Sequence, residues 1–351
     1  MRAGLLPKLQ PMRSSRRAIL RFALGLALAV VVFIEVVPRI ASYGDVAHQL
    51  GTISWPWIVA LAVGSLLDIV TTALPWQAVL PRLSFVAALA FTQASTALTT
   101  VLPGGAPLGM AISFGFLRRL RVDRGAAAFA VAVTGIWSQV MILIYPLVGS
   151  ILVFATGELS NSTLAIAGVS AACGAVIVGL TVAGLRSAGA ARWLGDFSAR
   201  VAGRVARFFH RRPPNWSGEG LVRQRAEWLV LLRRRWPRLT AATLANQLTA
   251  YVVFEVSLRA VGISFASLPA SEAFLAWAIG RVISSLPLTP GGIGVVELGM
   301  IGTLVGFGAS NAHVVAAVLL YRGVIVLPTL VIGLIALPWI RRLAPAPIEP
   351  A

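Results

Sequence analysis

Residues 284–299 read SSLPLTPGGIGVVELG, and the fold turns on how that stretch is taken. Apolar sequence runs into it and out of it. Inside it, Pro287 and Pro290 remove backbone donors and clash with the preceding turn, while Gly291, Gly292 and Gly294 oppose helix through conformational entropy. Glu297 follows at once. A carboxylate at membrane depth costs about 2.5–3.5 kcal/mol on insertion scales unless it is paired or wet. The stretch therefore reads as a broken helix with a compensated acid beside the break.

The surrounding composition says which solvent the chain faces. Of 351 residues, 58% are hydrophobic and 12% charged, with mean hydropathy +0.84; a soluble domain is nearer a quarter charged. Several apolar runs reach the roughly 20 residues that span a bilayer. An apolar α/β enzyme would need alternating strands, and the sequence offers none. The balance of 30 basic to 12 acidic residues gives +18. A charge of that size suits nucleic acid when it forms a patch. Here it sits in short loops between apolar runs, as topology and anionic-lipid contact require, so no nucleic-acid partner is expected. Cys173 stands alone, and His48, His210 and His313 are scattered, without metal-ligand spacing. No metal or cofactor is expected.

The apolar runs divide the chain. A basic N-terminus (1–17) precedes a first membrane half (18–185), with spans near 18–37, 56–77, 84–102, 125–154 and 163–185, and a short apolar piece at 105–117. The run at 18–37 is too long for a signal-peptide core and reads as an uncleaved span. A basic segment (186–238) follows. The second half (239–340) has spans near 239–262, 270–288 and 312–338, and a short piece at 293–306. A tail (341–351) closes the chain.

Charge orients these elements. Residues 186–238 hold thirteen arginines and three acids, which places them in the cytoplasm. Arg118, Arg119, Arg121, Arg124, Arg341, Arg342 and the N-terminal arginines follow the same rule, so the chain is expected to cross a cell membrane several times with both termini in the cytoplasm. The piece 105–117 then starts from a span that entered from the cytoplasm and returns there. At 1.5 Å per residue it is about 20 Å long, short of the roughly 30 Å hydrocarbon core. It reads as a re-entrant half-helix. The hairpin at 270–306 reads the same way from the opposite face. The fold class is thus an all-α polytopic membrane protein with about eight membrane helical elements, two re-entrant hairpins broken at Pro-Gly-Gly, and an inverted repeat. Discontinuous helices at the interface of inverted repeats are a transporter plan.

Within 186–238, Trp193, Phe197, Val201, Val205, Phe208 and Phe209 recur at helical spacing with arginines between them. An amphipathic surface helix on anionic inner-leaflet lipids is expected there.

The charges within apolar runs are Glu35, Asp68, Glu255, Arg259, Arg281, Glu297 and Arg322. Glu35 and Arg259 lie near span ends, and Glu255 and Arg259 are four apart on one helix face, suited to a local ion pair. Arg281, Glu297 and Arg322 flank the second break and read as a mutually compensated cluster lining a cavity; a structural Arg–Glu pair is the plainer alternative. Asp68 would join from the other side. Each break, Pro103-Gly104-Gly105 and Pro290-Gly291-Gly292, also opens a half-helix N-terminus. Its free N–H groups and positive dipole end suit an anion such as a lipid phosphate.

Pro290-Gly291-Gly292-Ile293-Gly294-Val295-Val296-Glu297, followed by Leu320-Tyr321-Arg322, resembles the C-terminal signature of the membrane portion of lysylphosphatidylglycerol synthases and their stand-alone, flippase-like relatives. The resemblance covers roughly 15–340 and is specific at 284–322. It implies an inverted-repeat bundle that moves a lipid or lipid-linked group between leaflets. The first half departs from it. Relatives carry a Gly-Glu pair and a following arginine after the first break, where this chain has Gly109-Met110 and Ser113. They carry Glu-Arg in the next span, where it has Thr134-Gly135. The chain ends at Ala351 without the soluble transferring domain of full-length synthases, so lysyl transfer is not expected.

The function expected is a non-enzymatic lipid translocator acting on a phospholipid or lipid-linked substrate. The alternatives are a membrane scaffold presenting lipid to a separate transferase, docked through 186–238, and an intramembrane enzyme on a lipid substrate. The last lacks any serine elbow, metal triad or phosphate loop to support it.

Overall fold

The structure is a computed structural model that describes residues 42–101, 105–156, 218–286 and 289–342, with isolated positions at 179, 187, 189 and 196. The expected spans at 18–37 and 163–185, Glu35, Cys173, Pro103, Gly104 and the aromatic stretch from Trp193 to Phe209 lie outside the described residues.

Among the described residues all regular structure is helical. A short helix α1 (Tyr43–Gly51), not anticipated from sequence, is capped by Ser42. Helix α2 (Trp55–Thr71) starts with Pro56 in its first turn, where proline loses nothing. A kink before Pro75 separates it from α3 (Leu74–Val79). The first hairpin is α4 (Phe85–Val101) and α5 (Gly105–Arg119), and α6 (Arg124–Thr156) follows. Helix α7 (Gly218–Ala260) runs unbroken from the end of the basic segment into the expected sixth span. The second hairpin is α8 (Ala270–Ser285), a single 3-10 turn at Pro290–Gly292, and α9 (Val295–Gly306); α10 (Asn311–Arg342) closes the described chain.

Around an apolar core, many large apolar side chains are exposed while several polar ones are buried, unlike the surface of a water-soluble fold. Ile335 is 70% exposed and Leu327 62%, whereas Gln93 is 1%, Glu297 2% and Gln247 3% exposed. The helices α2–α3 together, α6 and α10 are long and apolar enough to cross a membrane. The chain is a helical membrane protein, and its polar groups turn away from lipid because hydrocarbon offers them no partner.

Element boundaries recur at one displacement. Arg124 and Asn311, which open α6 and α10, are 187 positions apart. The same step carries Asp68 to Glu255, Pro103 to Pro290, Met110 to Glu297 and Gly135 to Arg322. The packing follows suit: α4 lies along α10, and its counterpart α8 lies along α6, while α2 lies along α7. Both crossings use small residues. A Cβ at Gly333 would stand 2.5 Å from the Gln93 carbonyl oxygen, and one at Gly149 would stand 3.0 Å from Leu275 Cα.

Candidate functional site

The second break is held by two residues of the expected cluster, Glu297 and Arg322. Gly291 (φ +62°) and Gly294 (φ +88°) adopt left-handed backbone that side chains avoid, which reverses the chain between the 3-10 turn and α9. Glu297, on the first turn of α9, turns back: its Oε2 accepts the Gly294 N–H at 2.7 Å. Arg322, from α10, donates Nε to Glu297 Oε1 at 2.7 Å and Nη2 to the Gly291 carbonyl at 2.9 Å. One arginine therefore neutralises the acid and satisfies a carbonyl that the break released. One donor of the half-helix N-terminus, that of Gly294, is taken by the protein's own carboxylate.

Arg281 is placed differently. It donates Nη2 to Gln247 Oε1 at 2.6 Å. Its Nε is buried and has no hydrogen-bond partner among the described residues. The described ion pairs within the helices are Glu255–Arg259 and Glu297–Arg322, and Arg281 belongs to neither. It shares a small cavity with Arg322, Trp277, Ser284, Met300 and Tyr321. That cavity holds about 20 Å³, the space of one water.

Asp68, buried in α2, feels the Arg281 charge and meets Thr249 Oγ1 at 3.5 Å. A chain of neutral polar groups continues from there. Thr249 and Thr71 share a 3.0 Å hydroxyl contact, and Asn246 Nδ2 donates to Thr71 Oγ1 at 3.3 Å. Gln247 Nε2 donates to Ser138 Oγ at 3.3 Å. Sequence reading missed Asn246, Gln247 and Thr249, because a charge scan passes over amides and hydroxyls. The adjacent amides inside an apolar helix were the available signal.

The two hairpin tips touch. A Cβ at Gly291 would stand 2.9 Å from Thr100 Cγ2 and 3.1 Å from its carbonyl oxygen. Gly105 opens α5; Gly292 accepts a left-handed φ of +70°, and its N–H donates to Thr289 O at 3.1 Å.

A larger cavity of about 280 Å³ lies beside the first hairpin. Hydroxyls of Thr72, Thr92, Ser95, Ser113, Thr134 and Ser138 face it, together with Trp76, Met110, Gly135 and Asn246. Met110, Ser113, Thr134 and Gly135 are all in this wall.

Glu255 and Arg259 form the expected local pair, with Arg259 Nε 3.0 Å from Glu255 Oε1. Arg259 also donates to the carbonyls of Ile263 and Leu268, at 2.9 and 3.0 Å. Its work is to tie down the loop that leads to α8.

A helical membrane protein with charges compensated around a broken helix is the class these features define. Compared with known families, the chain matches the lysylphosphatidylglycerol synthase transmembrane region over residues 19–333. It belongs to that family, a membrane region associated with lipid handling. Comparison with curated proteins finds no match.

Proposed function

We propose that this protein is a lipid translocator of the cell membrane that carries a phospholipid or lipid-linked headgroup between leaflets, with its termini in the cytoplasm. The observation that carries the reading is Arg281: a cation at membrane depth, outside the Glu297–Arg322 pair, with a buried guanidinium N–H left unmatched among the described residues. Such a group is costly unless a ligand completes it, and a lipid phosphate is the anion a bilayer supplies.

The two hairpins are read as re-entrant elements of an inverted repeat. The recurrence at 187 positions and the matched α4–α10 and α6–α8 packing support this plan. The water-sized cavity at Arg281 has no room for a phosphate in this arrangement. Access then requires α8 and α9 to part from α10, and the Glu297–Arg322 pair is the latch that resists parting. Closing one hairpin while opening the other would expose the headgroup to each face in turn.

The test is reconstitution in liposomes holding trace fluorescent phospholipids, with headgroup exposure followed by an impermeant quencher. Wild type should accelerate exposure over empty liposomes, and Arg281→Gln should not. Equal rates in all three, across anionic and polyprenyl lipids, would refute the translocator and leave the scaffold reading.

A further inference from the structure

Position for position, the first hairpin lacks what fills the second. Glu297 and Arg322 meet across the second hairpin and leave about 20 Å³. Their counterparts 187 residues earlier, Met110 and Gly135, also face each other: a Cβ at Gly135 would stand 4.0 Å from Met110 Sδ. Among the described residues no ion pair and no arginine stem occupies that space, and about 280 Å³ remains. Smaller residues at corresponding positions, Ser113 for Met300, Thr134 for Tyr321 and Gly135 for Arg322, go with the larger room.

The wall has a definite chemistry. Thr72 donates its hydroxyl proton to the Ile69 carbonyl at 2.6 Å, Thr134 to Ala130 at 2.6 Å and Thr92 to Ala88 at 2.9 Å. Thr72 Oγ1 already accepts from Gln93 Nε2 at 3.0 Å and lies 3.3 Å from Thr92 Oγ1, so the lone pairs left over, those of Thr134 above all, are what remains to accept. Ser95 and Ser113 share one hydrogen bond at 2.9 Å, leaving one proton between them. The residues lining the cavity include no charged side chain. A phosphate would find donors in the Trp76 indole, the Asn246 amide and the hydroxyls of Ser138 and Thr243, but no cation in the lining to offset its charge. An ammonium finds acceptors but no carboxylate to compensate its charge. A neutral polyol brings donors and acceptors together. Trp76, held edge-on against Phe91 at 4.8 Å between ring centroids, adds a flat apolar face. The volume is near the low end of the roughly 300–1,000 Å³ of small-molecule sites, enough for a single headgroup. Ser138 stands in the wall, and Gln247 bridges it to Arg281.

Resting on the translocator reading, we propose that this cavity takes the neutral polyhydroxyl headgroup, a sugar or similar polyol, of a lipid whose phosphate is met by Arg281. The substrate class is then a glycosylated or polyol-bearing lipid phosphate, not a cationic lipid.

Binding and transport separate the two ideas. Purified full-length protein in nanodiscs would be titrated with a short-chain polyprenyl phosphate carrying a neutral hexose, the same polyprenyl phosphate without sugar, phosphatidylethanolamine, and free hexose. The hexosyl lipid should bind at least tenfold tighter than the bare phosphate lipid. Gly135→Leu, whose side chain would fill the cavity, should erase that preference while leaving the bare lipid's affinity unchanged. Thr134→Val, nearly the same shape without the hydroxyl, should weaken the hexosyl lipid about threefold and covers the case in which the leucine variant fails to fold. Equal binding of the two phosphate lipids, tighter binding of phosphatidylethanolamine, or a preference that survives both variants overturns the inference and leaves a hydrated vestibule only. Free hexose binding as tightly as the lipid also overturns it, by making the site one for a soluble sugar. The same lipids followed in liposomes test the translocator separately: a binding preference without movement keeps the site and sinks the transport, and movement without preference does the reverse.

Discussion

Arg322 reaches across from α10 to Glu297, Nε to Oε1 at 2.7 Å, and its other arm closes on the Gly291 carbonyl at 2.9 Å. A single cation therefore joins the last helix to both sides of the break. Removing it leaves a carboxylate that is 2% exposed without its charge partner. Breaking one side of a buried pair costs about 3–5 kcal/mol, whereas replacing both by apolar groups is often near neutral. Arg322→Met should lower the thermal unfolding midpoint in detergent sharply, and Glu297→Gln/Arg322→Met should recover much of the loss. A double variant no better than the single would show that the pair is not what holds the break.

The same latch predicts a separation of stability from transport. Glu297→Gln/Arg322→Met should stay folded but lose lipid exposure in the quencher assay by an order of magnitude or more, because the closed state of the second hairpin is no longer defined. Wild-type rates with both replacements would remove the pair from the mechanism.

Gly291 carries a conformational prediction. Its φ of +62° and the 2.9 Å approach of Thr100 Cγ2 to a built Cβ act together. A left-handed backbone costs an alanine roughly 1–2 kcal/mol before any clash. Gly291→Ala should therefore destabilise by more than that, and Gly291→Ala/Thr100→Ser should regain part of it. Additive losses in the double variant would mean the hairpin tips do not press on each other.

Much of the second hairpin was legible in the sequence. Its elements were expected at 270–288 and 293–306 and lie at Ala270–Ser285 and Val295–Gly306, because proline and glycine act locally on backbone. The Glu297–Arg322 pair was legible too, as two expensive charges near each other in sequence. What Arg281 does was not. Its partner Gln247 lies 34 residues away on another helix, and neutral side chains leave no mark on a charge scan. The 280 Å³ cavity was still less visible. Met110, Ser113, Thr134 and Gly135 registered only as departures from relatives, and empty volume is a property of packing that no residue type announces. Helix α7 starts at Gly218, well before the expected span near 239–262, because the thirteen arginines between 186 and 238 mark charge and not the end of a helix. Arginine is itself a good helix former, so the helix continues through the arginine-rich sequence without a break.

Gly333 tests the helix pairing. A Cβ there would sit 2.5 Å from both the Gln93 carbonyl oxygen and Ala97 Cβ. Gly333→Val should force α10 off α4 and lower the unfolding midpoint, with a loss in the 1–3 kcal/mol range typical of overpacking, or more. Gly323, with nothing within 4 Å of a built Cβ, is the control on the same helix, and Gly323→Ala should be near neutral or slightly stabilising. Similar losses at both positions would mean that α10 responds to helix propensity and not to contact with α4.

Asp123 offers a pH test away from the bilayer core. It sits in the turn between α5 and α6, and its Oδ2 accepts the N–H groups of Gly125 at 2.8 Å and Ala126 at 3.3 Å. These backbone bonds hold its carboxyl below the usual carboxylate range. Because the folded value is depressed, the stabilisation is fully present above the unfolded value, about pH 4, and is lost as pH falls through the folded one. Asp123→Asn keeps an N-cap acceptor that does not titrate. Its unfolding midpoint should match wild type at pH 7 and fall less steeply between about pH 4 and pH 2. Parallel curves for the two proteins over that window would mean that the ionised cap contributes nothing to the start of α6, and that the arginines flanking the turn set the pH response instead.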